Sequence, residues 1–414
     1  MTSNDDLAPE AEHDAPAAGE LPVLRLKRGE DRRIAAGHQW VFSNEIDASA
    51  SPLSRFAPGD VVAVLSDRDR FLGYAYVNPH SLIAARILSR DRAHAPGRSL
   101  LVHRLQIALA LRQRLYDAPY YRLVHGESDN LPGLVVDRYG DVLVAQIGTA
   151  GMEAQKEAIL SALVKVVKPA TVVWKNDGGS RDLEGLPKYV EAALGEVPDT
   201  VEIVERGLRF VAPLAGGQKT GWFYDQAGNR AQFLPLARGA KRVLDVFSYV
   251  GAWGVAAAAA GADVTCVDSS ATALESVARN AAANGIANLA TIKDDAFDAL
   301  ERLHEAREKF DVVIVDPPAF IKRRKDQAKG EAAYKRLNQL AMQLLPRDGL
   351  LISCSCSYHL ESDALLDAIQ KGARHLGRFA QVIATGGQSP DHPVHPAIRE
   401  TRYLKAYLVR VTHD

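Results

Sequence analysis

The stretch VLDVFSYVGAWG, residues 243–254, decides how the C-terminal half of this chain is read. A short β-forming run enters a loop, and GAWGVAAAAAGA continues as a helix of strong formers that Gly261 stops. DVTCVD, residues 263–268, is then a second strand closing on an acidic residue. Strand, loop, helix and acidic strand end outline a nucleotide-type pocket, with Asp268 placed 17 residues after Gly251 to bond a ribose hydroxyl pair. A dinucleotide needs glycines in G-x-G-x-x-G so that backbone N–H groups can approach a pyrophosphate. Here Phe247, Ser248 and Tyr249 fill the early glycine positions. That loop suits a cofactor without a pyrophosphate, S-adenosylmethionine, and disfavours an NAD-dependent oxidoreductase.

The same alternation continues outward. Ser269 and Ser270 offer an N-cap to ATALESVARNAAAN, and Gly285 stops that helix. KDDAF puts Asp295 after a short strand, suited to accept from an adenine amino group. KFDVVIVDPP is a strand whose tip carries Asp316, beside the place where a reactive methyl would sit. Its two prolines stiffen the exit and hold Asp316 and the Pro317 carbonyl in place. After the helix EAAYKRLNQLAMQLL comes LLISCSCS, residues 350–357, so Cys354 and Cys356 lie at the carboxyl end of a buried parallel strand. In open α/β sheets that edge binds ligands. Two positions apart, both side chains leave on one face, about 7 Å from each other. Free cysteine is most often a small buried hydrophobe, which is the reading for Cys266 in mid-strand.

Composition sets the wider frame. The chain has 414 residues, 47% hydrophobic and 24% charged, enough for two or three soluble domains. No apolar run approaches the roughly 20 residues of a membrane span. Residues 1–20 hold six acidic side chains and no Lys or Arg and read as a disordered acidic tail, not a secretory signal. Removing those six charges from a net of −1 leaves +5, compatible with a nucleic-acid partner. Three cysteines point to a reducing compartment, and a cytoplasmic protein is expected. Residues 21–95 read as a small β-rich domain, 96–195 as a central α/β domain, and 196–414 as a mostly parallel sheet covered by helices. The basic run IKRRKDQAKGEAAYKR follows the Asp-Pro-Pro turn, which makes Lys322, Arg323 and Arg324 candidates for phosphate contact. In DHPVHP, His392 and His395 have no partner at metal-ligand spacing, so no metal is expected, and the loop is assigned to the substrate entrance.

Taken together, FSYVGAWG, VDSS, DDAF, VDPPAF and SCSCS, with GGQKTGWFYDQAGNR upstream and GESDNLPGLVVDRYGD in the middle, resemble one family. It is that of the RlmI-type class I S-adenosylmethionine-dependent methyltransferases, which form 5-methylcytosine in large-subunit ribosomal RNA. The resemblance spans about residues 21–414. It implies an N-terminal PUA domain, a small RNA-binding β-barrel, then the central α/β domain and a Rossmann-like C-terminal domain with a mostly parallel seven-stranded sheet. By the same resemblance Phe247, Ser248, Gly251, Asp268, Ser269, Asp295, Asp316 and Pro317 meet the cofactor, and Lys219, Thr220, Gly221 and Asp225 form a flap over it. Cys356 aligns with the cysteine of the family's Ser-Cys-Ser segment and is the expected nucleophile, with Asp316 hydrogen-bonding the ring. The implied partner is ribosomal RNA or an assembling large subunit, and a homodimer is compatible. The first loop departs from the family's Phe-Ser-Tyr-Thr-Gly-Gly-Phe, and related proteins methylate other positions, including guanine N7. Direct methylation of N7 or an amino group without a covalent step therefore stays open, as does a non-catalytic RNA-binding protein with a degenerate cofactor fold.

Overall fold

The computed structural model describes residues 21–214, 217 and 220–413. The expected acidic tail and Lys219 lie outside them.

Strands β1 (Val23–Arg25), β2 (Trp40–Phe42), β3 (Val61–Leu65), β4 (Phe71–Val77) and β5 (Ile83–Ser89) form one sheet, in the order β1-β3-β4-β5-β2. VVAVL in β3 alternates half-buried and buried positions, as a strand with one wet face must. In β4 and β5 nearly every position is buried because the next unit covers the second face. Tyr76, for example, donates its hydroxyl to the Pro132 carbonyl at 2.7 Å.

That next unit is a second five-stranded sheet: β6 (Tyr120–His125), β7 (Leu134–Tyr139), β8 (Val142–Ile147), β9 (Thr171–Asn176) and β10 (Tyr189–Leu194), in the order β10-β9-β8-β7-β6. Only β8 and β9 run parallel, and the crossover between them contains the helix Lys156–Val167. The hairpin β11 (Thr200–Glu205) and β12 (Leu208–Pro213) follows, turning at Arg206 and Gly207, both at positive φ. Parallel alternation was expected from about residue 196, but it begins only after this hairpin. Val201, Ile203 and Phe210 of the hairpin share one core with Tyr139 and Val173 of the central sheet and with Val250 and Ala281 farther on. The hairpin is thus the apolar joint between the two.

The third sheet has seven strands: β13 (Arg242–Val246), β14 (Asp263–Asp268), β15 (Leu289–Lys293), β16 (Val312–Val315), β17 (Asp348–Ser355), β18 (Arg378–Gly386) and β19 (Lys405–His413). Their order is β15-β14-β13-β16-β17-β19-β18, with β13 to β17 parallel and β18 and β19 antiparallel. Val313 and Val315 enter the core on one face and Val312 and Ile314 that on the other, which is why VVIV is apolar throughout. Strand order reverses between β13 and β16, and a crevice opens there at the carboxyl ends. The architecture is the expected Rossmann-like α/β fold.

Candidate active site

The loop leaving β13 is bent into shape by three left-handed residues, Phe247 (φ 64°), Tyr249 (φ 49°) and Gly251 (φ 86°). A non-glycine residue in that region costs of order 1 kcal/mol or more and persists only when its surroundings hold it. The Ser248 N–H donates to the Val267 carbonyl at 3.0 Å and the Tyr249 N–H to Asp268 Oδ2 at 2.9 Å, tying the loop to the end of β14. Gly251 lies behind this loop, where a Cβ would stand 3.2 Å from Val255 and Val277. It is absent from the cavity wall, so the expected cofactor contact is corrected to a turn that lets the helix Ala252–Ala259 start.

In front of the loop is a cavity of about 380 Å³. Its wall gathers Phe247, Ser248, Asp268, Ser269, Asp295, Asp316, Pro317, Asp225 and Cys356 from six separate stretches of sequence. The Asp268 carboxylate accepts the Tyr249 and Ser270 N–H groups, each at 2.9 Å, and has lone pairs beyond those two bonds. Ser270, rather than Ser269, caps the next helix, which leaves Ser269 on the wall. Asp295 caps the helix Ala296–Glu305 through the Phe297 N–H. The Trp222 indole N–H is buried in this wall with no hydrogen-bond partner among the described residues, whereas the Trp253 indole faces Asp316 and the Ser248 hydroxyl faces Cys266. An unpaired buried donor on the same wall as the Asp268 carboxylate fits a polar ligand such as S-adenosylmethionine.

The structure separates the cysteines. Cys354 is fully buried among Ile352, Ala406 and Leu408, and burial pushes its thiol well above the ordinary range. Cys266 is equally buried and its thiol is raised for the same reason. Cys356 stands just past the end of β17, half-buried on the cavity wall, with its Sγ 3.8 Å from the Pro317 carbonyl. Close by, the Lys405 ammonium donates to the Ser357 carbonyl at 2.6 Å. Burial lowers its pKa to about 8 against the pull of Glu361 and Cys356.

Asp316 accepts a hydrogen bond from Gln226 Nε2 at 2.8 Å. Burial lifts its pKa to about 6 and Asp225 adds to the rise, while Trp253, Arg230 and Gln226 pull it back. Gln226 and Trp253 were not among the residues picked from sequence, although Gln226 sits inside the quoted WFYDQ. Asp245 was also missed, because VLDVF reads simply as a strand. It is fully buried behind the loop, and its pKa is raised to about 7, chiefly by burial.

Three expected residues fall elsewhere. The Thr220 hydroxyl donates to Asp137 and its carbonyl accepts from Tyr139, which pins it to the central sheet instead of over the cavity. The Gly221 carbonyl is held by the Tyr249 hydroxyl at 3.1 Å, again off the cavity wall. His392 is only 2% exposed, paired with Asp391 at 2.8 Å and packed 4.9 Å from the His125 ring, so it offers nothing to RNA. Asp391 in turn accepts the Arg122 N–H, and its carbonyl accepts from Arg112. This loop is a buried seam onto the central sheet. Lys322, Arg323 and Arg324 are exposed, beyond the Asp-Pro-Pro corner. Among the described residues no group of three His, Cys, Asp or Glu side chains could hold a metal ion, and no helix is long and apolar enough to cross a membrane.

Comparison with known proteins bears on the family and the fold. A family model described as PUA-like domain matches residues 24–90, and one described as S-adenosylmethionine-dependent methyltransferase matches residues 179–410. The chain is 34% identical over 398 residues to ribosomal RNA large subunit methyltransferase I of Klebsiella pneumoniae, covering 94% of this chain and 98% of that one. It is 35% identical over 395 residues to the protein of the same name from Aeromonas salmonicida, with the same coverage. Among solved structures, SMU.776 complexed with SAH superposes with a TM-score of 0.80 at 22% identity, covering 94% of this chain and all of that one.

Proposed function

The chain belongs to the ribosomal RNA large subunit methyltransferase I family of S-adenosylmethionine-dependent methyltransferases, and from that membership we propose that it methylates C5 of a cytosine in large-subunit ribosomal RNA, using Cys356 as nucleophile. The observation that carries the proposal is the position of Cys356, on the cavity wall against the Asp-Pro-Pro corner, while Cys354 is sealed in aliphatic packing.

S-adenosylmethionine, when bound, supplies an electrophilic methyl group. Phe247, Ser248, Asp268, Ser269 and Asp295 would hold it, with Asp268 to accept from the ribose hydroxyls and Asp295 from the adenine amino group. Cytosine C5 is a poor nucleophile until the Cys356 thiolate adds to C6 and pushes the ring electrons toward N3 and O2, where Asp316 hydrogen-bonds the ring. C5 then has enamine character and would take up the methyl as the S–CH3 bond breaks, with S-adenosylhomocysteine as the leaving group. A base removes the C5 proton, the C6–S bond breaks and the thiolate returns. The nearby Lys405 ammonium favours the anionic sulfur electrostatically. The target base must leave its stack to reach this depth, at a few kcal/mol, so locally opened RNA is the better substrate. Lys322, Arg323 and Arg324 meet its phosphates, and the domain over residues 21–95 gives a further RNA contact ahead of units 96–195 and 196–414. Such an enzyme works in the cytoplasm, on free RNA or an assembling subunit.

The test compares Cys356→Ser and Cys354→Ser on unmodified ribosomal RNA, with products read by nucleoside mass spectrometry. Cys356→Ser loses turnover by at least about 10³-fold and still binds S-adenosylhomocysteine, while Cys354→Ser stays within a few-fold of the parent. Near-normal turnover of Cys356→Ser, or 7-methylguanine as the product, defeats the covalent reading in favour of direct methylation.

A further inference from the structure

We propose that Gln226, backed by Asn229, is a positioning residue that decides which oxygen of Asp316 can carry a proton toward the target base. The inference rests on the reading of Asp316 as the group that hydrogen-bonds the ring. Asn229 Nδ2 donates to Gln226 Oε1 at 2.6 Å, and Gln226 Nε2 donates to Asp316 Oδ1 at 2.8 Å. Gln226 is 3% exposed and Asn229 1%, so water does not compete for either amide. With its carbonyl occupied by Asn229, Gln226 turns only N–H toward Asp316, and an amide N–H cannot accept. Oδ1 is therefore an acceptor in both charge states, and any carboxyl proton must sit on Oδ2.

The opposite orientation would need both amides to turn over together. An ionised Asp316 would then face a carbonyl oxygen. Asn229 packs closely against Gly386 of β18, where a Cβ would lie 2.1 Å from Asn229 Oδ1, so the glycine makes room for the amide that backs Gln226. The first turn of the helix Ala227–Leu236 thus sets the proton geometry of a residue on another strand.

Several charged or titratable groups face Asp316. They are Asp225 and Arg230 from the segment that holds Gln226, Asp245 from β13, and Cys354 from β17; the Trp253 indole is the nearest polar neighbour from the helix Ala252–Ala259. Asp225 favours the protonated form, whereas Arg230, Trp253 and Gln226 favour the ionised one. Removing the Gln226 donor therefore makes Asp316 easier to protonate. If the protonated form assists ring activation, the rate falls as pH rises through that titration, and in Gln226→Leu the fall moves to higher pH.

The experiment measures kcat and KM for RNA from pH 5 to 9 in the parent, Gln226→Leu and Gln226→Glu, with S-adenosylhomocysteine titration as the check on folding. Gln226→Leu is expected to shift the high-pH limb of kcat upward by about one pH unit and to lower kcat about tenfold, with KM for RNA within about twofold. Gln226→Glu can donate only when protonated, so its kcat recovers toward the parent value at the acid end. It gives a second readout if the leucine variant does not fold. A pH profile that coincides with the parent's in a variant that still binds S-adenosylhomocysteine overturns the inference. Failure of the underlying reading shows separately, as the absence of a covalent complex between the parent enzyme and RNA carrying 5-fluorocytosine.

Discussion

Replacing Asp245 by asparagine should change how the stability of this protein depends on pH. Asp245 is fully buried on β13; its Oδ2 accepts the Gly254 N–H at 2.8 Å and faces Cys266 Sγ at 3.9 Å, while Oδ1 has no hydrogen-bond partner among the described residues. Burial, with smaller contributions from Asp316 and Asp268, lifts the carboxyl from 3.8 to about 7, against the Gly254 N–H and Arg230. Between those pH values the native protein holds a proton that the unfolded chain has released. Stability contributed at this site therefore falls as pH rises from about 4 to about 7 and then levels off. One pH unit of separation corresponds to ~1.4 kcal/mol, so between pH 5 and pH 8 the loss is at most about 3 kcal/mol, less where neighbouring acids share the proton. Asparagine keeps the acceptor for the Gly254 N–H and cannot ionise. Urea denaturation at pH 5 and pH 8 should show Asp245→Asn gaining about 2–3 kcal/mol on the parent between the two pH values. Parallel stability curves for parent and variant would refute the reasoning, since they would mean that Asp245 is ionised in the native protein at both pH values.

Two further outcomes follow from the geometry. Gly251→Ala combines a left-handed backbone with Cβ contacts at 3.2 Å to Val255 and Val277, so it should lower stability by about 1–3 kcal/mol and weaken S-adenosylhomocysteine binding by shifting the loop that carries Phe247 and Ser248; an unchanged thermal midpoint would contradict this. Charge reversal of Lys322, Arg323 and Arg324 should weaken RNA binding and reduce the slope of log affinity against log salt by about 0.7 for each phosphate that is no longer neutralised, leaving cofactor binding intact; a parental slope removes these side chains from the RNA interface.

The parallel strands β13, β14, β16 and β17 were legible because each is a short apolar run closed by a residue with a distinct chemical use. Asp268, Asp316 and Cys356 could be placed at the carboxyl edge from strand direction alone, since a parallel sheet brings all such ends to one side. What sequence order did not supply was the identity of each residue's partner. Thr220 stands two residues before Trp222 on the cavity wall, yet its hydroxyl goes to Asp137, more than eighty positions earlier. The DHPVHP loop looks like an exposed entrance because of its prolines, but the Arg112 side chain, on the helix Arg98–Leu115, donates to the Asp391 carbonyl and the Arg122 backbone N–H of β6 to its carboxylate, which draws His392 out of water. GESDNLPGLVVDRYGD belongs to the same seam: Asp129 accepts both terminal nitrogens of Arg112, and Asp137 accepts two bonds from Arg122.

Those buried ion pairs bear on function as well as on packing. Separating either pair would leave a charge without a partner away from water, which typically costs about 3–5 kcal/mol. Both pairs lie within the central unit, and the same arginines reach out of it: Arg112 donates to the Asp391 carbonyl and the Arg122 N–H to the Asp391 carboxylate. Tyr224, next to Asp225, donates its hydroxyl to the Arg138 carbonyl, and the Tyr403 hydroxyl donates to Asp225 Oδ2 at 2.6 Å. Asp225 is also the acidic neighbour that raises Asp316. The protonation state of the residue at the tip of β16 is therefore set partly by a wall whose rigidity comes from another sheet. A domain boundary drawn near residue 196 cuts through the support of the site as well as through the chain.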